Sequence, residues 1–343
     1  MSITYKENLD NIDYKELNKL LRDVLGEEKA QDEQHTRKAF ENSRYFVFAY
    51  EDDRLIGAVR ALSDGDWAVI YNFAVLTDYE GTDIEKEILA RLVHQLKGQH
   101  IFTNARPGSI AFYEANGFQR TKTAFTYVGY EGAEKNYPEG YFLPLNYRFE
   151  NEFYKTQLPF PTLNIAKKKD DVKLTYTNSR DGVDYARVNE IIVKAFGSNR
   201  SRNENDFSPE KIAKTKHLFD ISEYVSFAYD RDNLVGVARA ITDGVEEAYI
   251  QNVAVDPDYQ GHGIGWKVVV NLSEEIQKNG LNPFLHTHPG AVGFYNRKGF
   301  LRNKMALDYR KYDDNLPPMP TVIETGFYVP VGYRFENEII YDN

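Results

Sequence analysis

Two rhythms of apolar residues run along this chain, and their whole succession occurs twice. Period-two or continuous apolar runs predict strands, and apolar positions three and four apart predict helices. In the second half, residues 173–177 read as a strand. Residues 183–196 read as a helix, with Val188, Ile191, Ile192 and Ala195 on one face. Residues 209–219 form a further helix. Residues 224–229 and 234–241 read as a hairpin that turns at 230–233. A buried strand over 247–255 leads to a helix over 263–278, a strand over 283–288, a short helix over 291–298 and a strand over 304–310. Strands alternating with helices and a hairpin indicate an α/β (α+β) layer architecture.

The first half repeats this plan with matching residues. Gly57-Ala58-Val59-Arg60-Ala61 matches Gly236-Val237-Ala238-Arg239-Ala240, and both runs continue to an Asp-Gly pair (Asp64-Gly65, Asp243-Gly244). Asn72-Phe73-Ala74-Val75 matches Asn252-Val253-Ala254-Val255, and Phe112-Tyr113 matches Phe294-Tyr295. Tyr147-Arg148-Phe149-Glu150-Asn151-Glu152 recurs unchanged at 333–338. The matches keep their order, so a whole domain is duplicated. The expected division is a first domain over 1–158, a linker over 159–171 containing Pro159, Pro161 and a charged run, and a second domain over 172–343.

Composition narrows the classes of function. At 343 residues the chain is long enough for two domains. A formal net charge of −10 argues against a nucleic-acid binder and favours cationic ligands such as amines. With no cysteine, disulfides, thiolate metal sites and a Cys nucleophile are excluded. The first residues lack a cationic segment followed by an apolar core, and no apolar run reaches a membrane span. The expectation is a cytoplasmic protein without a membrane partner. The heavy use of Tyr, Asn and Lys suggests an AT-rich bacterial source.

The two copies differ most where a strand meets a helix. After the strand ending at Val255, the second copy reads Gln260-Gly261-His262-Gly263-Ile264-Gly265. Glycines there let backbone amides approach an anion closely, and the start of the following helix favours negative charge. The first copy reads Glu80-Gly81-Thr82-Asp83-Ile84-Glu85, which puts carboxylates where phosphates would sit.

The strand, the glycine loop and the later Phe294-Tyr295-Asn296-Arg297-Lys298-Gly299-Phe300 segment together resemble motifs A and B of the Gcn5-related N-acetyltransferases (GNAT). The resemblance covers nearly all of the second copy and, more weakly, the first. It implies two tandem GNAT-like domains, each a mixed, splayed central sheet flanked by helices, with the first degenerate. It implies acetyl-CoA as the acyl donor, with its pyrophosphate held by Gln260, Gly261, His262, Gly263, Ile264 and Gly265. The pantetheine arm would pair with the backbone of Val253, Ala254 and Val255, beside a strand bulge. A main-chain N–H near Val253 would polarise the thioester carbonyl.

Acetyl transfer to an amine needs a free nitrogen lone pair, a stabilised oxyanion and a proton for the departing thiolate. By resemblance Tyr295 is the acid. Relatives often place a carboxylate or histidine at the positions held here by Tyr249 and Gln251, which share one face of the strand. Gln251 takes no proton at neutral pH. Tyr249, His288 and Glu247 are therefore the candidates for moving the amine's proton, with Glu246 and Asp243 able to act through water. His286 and His288 form a His-Thr-His run, but no third ligand accompanies them, so no metal is expected. The implied activity is direct transfer to a small amine or a peptide amine, and the sequence allows a homodimer. The alternative is a non-catalytic acyl-CoA sensor or scaffold.

Overall fold

The computed structural model describes residues 2–26, 32–106, 108–129, 142–143, 171–196, 204–287, 291–295, 299–309 and 329. The linker up to 170, both Tyr-Arg-Phe-Glu-Asn-Glu segments and His288 lie outside the described residues. Among the described residues no helix is long and apolar enough to cross a membrane.

The predicted elements form, in the predicted order. In the first half these are β1 (Ile3–Lys6), α1 (Tyr14–Leu25), α2 (Glu33–Glu41), β2 (Tyr45–Glu51), β3 (Arg54–Ser63), β4 (Trp67–Val75), α3 (Asp83–Gln95), β5 (His100–Asn104), α4 (Ile110–Ala115), β6 (Phe118–Arg120) and β7 (Ala124–Tyr127). The second half repeats them as β8 (Leu174–Thr177), α5 (Tyr185–Phe196), α6 (Pro209–Asp220), β9 (Tyr224–Asp230), β10 (Asn233–Thr242), β11 (Glu247–Val255), α7 (Ile264–Lys278), β12 (Asn282–His286), α8 (Val292–Tyr295), β13 (Phe300–Arg302) and β14 (Ala306–Tyr309). The short strand β13 extends the sequence reading.

Sheet membership does not follow the halves of the chain. The first sheet runs β1-β2-β3-β4-β5-β14-β6, and the second runs β13-β7-β12-β11-β10-β9-β8. Each half therefore lends one strand to the other. β7 lies between β12 and β13, with Leu285 opposite Phe125 and Leu301 opposite Thr126. β14 lies between β5 and β6, with Leu307 opposite both Thr103 and Arg120. Such an exchange completes two ladders from one duplicated chain and ties the copies into one body.

Alternation along the strands puts an apolar set on each face of each sheet. One face of the second sheet packs under α7 and α8 through Val268, Val269, Leu272 and Ile276, and Phe125 of the lent strand belongs to that core. The opposite face packs under α5 and α6 through Val188, Ile191 and Phe219. A smaller cluster of Leu62, Val69, Ile241, Tyr249 and Phe284 joins the two sheets to each other.

Two backbone features prepare the site. The parallel pairing of β11 with β12 ends at Tyr249 opposite Phe284, so the rest of β11 diverges from its neighbour. On its other side, Val237 faces Ala254 and Arg239 faces Gln251, which leaves Asn252 and Val253 opposite Ala238 alone. This is a β-bulge, and Asn252 takes a left-handed conformation with φ of 51°. Asn can do so because its short amide finds local partners. The first sheet has the same bulge at Asn72, with φ of 48°.

Candidate active site

The loop between β11 and α7 is anchored before its glycines begin. Asp256 accepts the amide of Asp258 at 3.0 Å and pairs with Arg187 at 2.5 Å. The guanidinium of Arg187 also donates to the Leu234 carbonyl at 3.0 Å, which fastens the loop to β10. The Tyr259 hydroxyl bonds Asp230 and Asn233 at 3.2 Å each. Gly261 and Gly263 then adopt φ of 85° and 75°, which a residue with a Cβ would resist. Gly263 is the N-cap of α7, and no side chain caps that helix. Its first amides are therefore left for another acceptor. At Gly265 a Cβ would stand 3.2 Å from Val255 and 3.5 Å from the Phe294 ring, so the helix start, the strand end and α8 meet closely there. The His262 ring turns back onto the Tyr259 carbonyl at 3.0 Å, leaving its contribution to the loop chiefly to its backbone.

The equivalent loop of the first copy is closed by its own carboxylate. α3 begins one position earlier, at Asp83. Glu85 folds back and accepts the Gly81 amide at 2.8 Å. Burial pushes the Glu85 carboxyl above its ordinary value, against the opposing pull of that amide. Asp83 stands fully exposed beside Lys86. The amide that a phosphate would use already has an anionic partner.

Between the sheets lies a reciprocal pair of buried ion pairs. Arg239 donates from Nε to Asn252 at 2.5 Å, from Nη1 to Ser222 at 3.2 Å, and from Nη2 to Gln251 and Asp64 at 2.5 Å each. Arg60 mirrors it, bonding Asn72 at 2.5 Å, Ser43 at 3.1 Å and Asp243 at 2.6 Å. Both arginines and both aspartates are buried. Each arginine grips the bulge of its own copy and is neutralised by the aspartate of the other. The other oxygen of each aspartate holds its own hairpin turn, Asp64 through the amides of Asp66 and Trp67, and Asp243 through those of Val245, Glu246 and Glu247.

This arrangement revises the proton-handling candidates. Tyr249 and Gln251 do share a face, but that face is pressed against the first copy. Tyr249 is buried against Phe284, Phe102 and His286, with ring centroids 5.0, 6.3 and 5.9 Å away. Burial, with Asp64 and Asp308 nearby, pushes its phenol well above the ordinary value. A phenol held that way is neither a base nor open to an acceptor, so Tyr249 is withdrawn as a catalytic side chain. Asp243 is withdrawn because Arg60 occupies it. Burial alone would raise its carboxyl, but Arg60 and the turn amides outweigh that and hold it below the ordinary value. Glu247 remains partly exposed at the head of β11. His286 stacks on Phe102 at 4.1 Å, and burial pushes its imidazole down to about 3. The residue keeps a little exposed surface, yet both ring nitrogens are sealed without a hydrogen-bond partner, so the ring is held in its neutral form.

Tyr295 lies at the end of α8, buried against Phe294, Phe300 and Phe125 at 4.8, 5.5 and 5.8 Å. Burial raises its phenol further above neutrality, so it holds its proton at neutral pH. Tyr113 is its mirror, raised to about 12 by burial. Phe125 comes from the first half, so the surroundings of Tyr295 are built by both copies. Among the described residues no group of three His, Cys, Asp or Glu is placed to hold a metal.

Sequence reasoning missed Arg239, Asn252 and Asp64 as parts of this site. The signal was present: these polar residues recur at matched positions of apolar strands and at the turn that follows them.

A splayed strand, a bulge and an open glycine loop capping a long helix define the class of fold that receives an acyl-CoA. Comparison with known proteins agrees. The Acetyltransferase (GNAT) family model matches residues 187–300, and the Acetyltransferase (GNAT) domain model matches residues 11–131. GCN5-related N-acetyltransferase 1, chloroplastic, of Arabidopsis thaliana is 43% identical over 68 residues, 20% of this chain and 34% of that protein. Serotonin N-acetyltransferase 2, chloroplastic, of Oryza sativa subsp. japonica is 30% identical over 134 residues, 38% of this chain and 62% of that protein. The matches thus span about a third and about three fifths of those relatives. The glucosamine N-acetyltransferase region of a fungal multi-domain GH3 β-N-acetylglucosaminidase aligns with 90% of this chain and 38% of that one, at 12% identity and a TM-score of 0.52, a likeness of fold. The chain belongs to the GNAT superfamily, as a tandem of two GNAT domains.

Proposed function

We propose that this chain is an acetyl-CoA-dependent N-acetyltransferase whose second copy performs the transfer while the first is silent. The observation that carries the reading is the contrast between the loops. Gly261 and Gly263 leave the start of α7 open, whereas Glu85 already occupies the Gly81 amide at the start of α3.

The residues of the second copy fit a pyrophosphate and its pantetheine arm. The loop 260–265 supplies close backbone amides, and β11 beyond Tyr249 offers backbone groups that no neighbouring ladder consumes. The bound donor supplies the acetyl thioester. The Val253 amide, set by the bulge, polarises the carbonyl at the point where negative charge develops. Tyr295, still protonated, donates to the departing thiolate. With Tyr249, Asp243 and His286 sealed away, none of these three serves as base. The amine's proton leaves through water, with Glu247 and His288 as the relay candidates. A small-molecule or peptide amine is the acceptor class, in keeping with the acidic chain and with a relative named for serotonin. The proposed site is cytoplasmic, and an assembly of two copies is compatible with the fold.

One observation favours a second reading, a non-catalytic acyl-CoA sensor: the strand face that holds a base in relatives is covered here. Tyr295→Phe separates the two in a thiol-release assay across a panel of amines. Transfer predicts a rate at least tenfold lower with acetyl-CoA affinity unchanged. An unchanged rate would remove Tyr295 as the acid, and no rate with any amine for the unaltered chain would favour the sensor.

A further inference from the structure

We propose that Asp64, in the silent copy, is a positioning residue for transfer in the second copy, an inference that rests on the reading above. The chain of contacts is short, with Asp64, Arg239 and Gln251 buried and Asn252 partly exposed at its end. Asp64 Oδ2 lies 2.5 Å from Arg239 Nη2. The same guanidinium bonds Asn252 and Gln251 at 2.5 Å each. Asn252 is the left-handed residue of the bulge and immediately precedes Val253, whose amide must face the thioester carbonyl. Arg239 has desolvation to offset, and Asp64 supplies the negative charge opposing it. Gln251 and Ser222 contribute neutral acceptors only.

The silent copy therefore does more than complete a sheet. It provides the counter-charge that keeps the arginine fork on the bulge. Without that charge Arg239 would turn toward water or draw water in, and the bulge would lose its clamp. Shifts of about 1 Å at reacting atoms can cost on the order of a hundredfold in rate. The phosphate loop has its own anchors at Asp256 and Tyr259, so cofactor affinity should not depend on Asp64.

The pseudo-symmetry supplies an internal control. Asp243 stands in the same relation to Arg60 and the bulge at Asn72, in the copy whose phosphate loop is closed. Asp64→Asn and Asp243→Asn each break one buried pair and each keep a turn-capping side chain. Damage to stability should be similar; damage to the thioester environment should not.

The experiment is difference infrared spectroscopy of the full chain with acetyl-CoA labelled at the carbonyl carbon, with calorimetric titration and urea unfolding of each variant. The unaltered chain should shift the carbonyl band to lower frequency on binding. Asp64→Asn should lose at least half of that shift with affinity within threefold, and Asp243→Asn should retain it at comparable loss of stability. Equal shifts in both variants, or equal losses, would overturn the proposal. If Asp64→Asn does not fold, Asn252→Gly keeps the left-handed backbone and removes the Arg239 acceptor. It should lose the shift in the same way, and retention would overturn the proposal. If the unaltered chain binds no acetyl-CoA, the functional reading itself fails and the inference falls with it. Binding with a normal shift that ignores Asp64 sinks the inference alone.

Discussion

Replacing His286 by Phe should remove a specific part of this protein's sensitivity to acid. Burial holds the His286 imidazole at about 3, against an ordinary value of 6.5. Its two ring nitrogens are sealed without partners while the ring stacks on Phe102 at 4.1 Å. The sign follows from where the proton binds more readily. Between pH 3 and 6.5 the unfolded chain takes up a proton that the folded chain refuses, so acid favours unfolding. The folded form is at full advantage above about pH 6.5 and loses ground as the pH falls toward 3. Each unit is worth about 1.4 kcal/mol, so the loss between pH 7.5 and pH 4.5 is about 2–3 kcal/mol. Phe keeps the ring contact and drops the titration. At pH 7.5 two effects oppose each other: relief of the unpaired nitrogens, about 1–3 kcal/mol, and the strain of a larger ring, about 1–3 kcal/mol. The variant should therefore lie within about 2 kcal/mol of the parent there. The assay is urea unfolding of both proteins at pH 7.5, 6.5, 5.5 and 4.5. Carboxylates common to both cancel in the difference. The gap should move by about 2–3 kcal/mol in favour of His286→Phe on acidification. Parallel stability curves would show that the imidazole titrates normally and that the interface is wetter than its packing implies.

Three further outcomes follow from the geometry. Gly236→Ala would bring a Cβ to 2.7 Å from the Ile264 side chain and 3.3 Å from Ala228, displacing the first turn of α7. Acetyl-CoA affinity should fall at least tenfold in calorimetric titration, and unchanged affinity would mean that this turn does not hold the phosphates. Glu85→Ala opens the amide of Gly81 and removes an acidic side chain from a helix start, costing about 0.5–1 kcal/mol in urea unfolding. Acetyl-CoA binding to the second copy should not change; a weakened site would show that the first loop contributes to it. Arg60→Met strands the buried Asp243 carboxylate and should destabilise the chain by about 3–5 kcal/mol at pH 7.5. Without Arg60 nothing but the turn amides opposes the burial that raises the Asp243 carboxyl, so the stranded group takes up a proton as the pH falls below neutral and the loss should shrink on acidification. A loss that stayed constant to pH 3 would contradict the pairing.

Much of this fold could be read from the residues, and the part that could not has a physical cause. Helix α5 and the hairpin of β9 and β10 follow from apolar spacing and turn residues. The glycine loop was legible because Gly261 and Gly263 meet a backbone requirement that few other residues meet. The strand exchange was not legible, because duplicated strands present the same alternation to either sheet. Nothing local tells β7 to pair with β12 and leave β5 to β14. The face shared by Tyr249 and Gln251 was correctly inferred from alternation. What faces it was not, because an apolar or polar position announces burial without naming its partner. The recurrence of Arg60 and Arg239, each followed by Asp-Gly, was visible as repetition. Its meaning as a reciprocal clamp required the two copies to be placed face to face.

Calorimetric titration of the full chain with acetyl-CoA, reading stoichiometry together with affinity, tests the asymmetry of the two copies most directly. The account predicts one site per chain, abolished by Gly263→Glu, which would place a carboxylate at the start of α7 where the first copy carries Asp83 at the start of α3. Two sites, or a single site that survives Gly263→Glu, would show that the first copy receives the donor and would contradict the account.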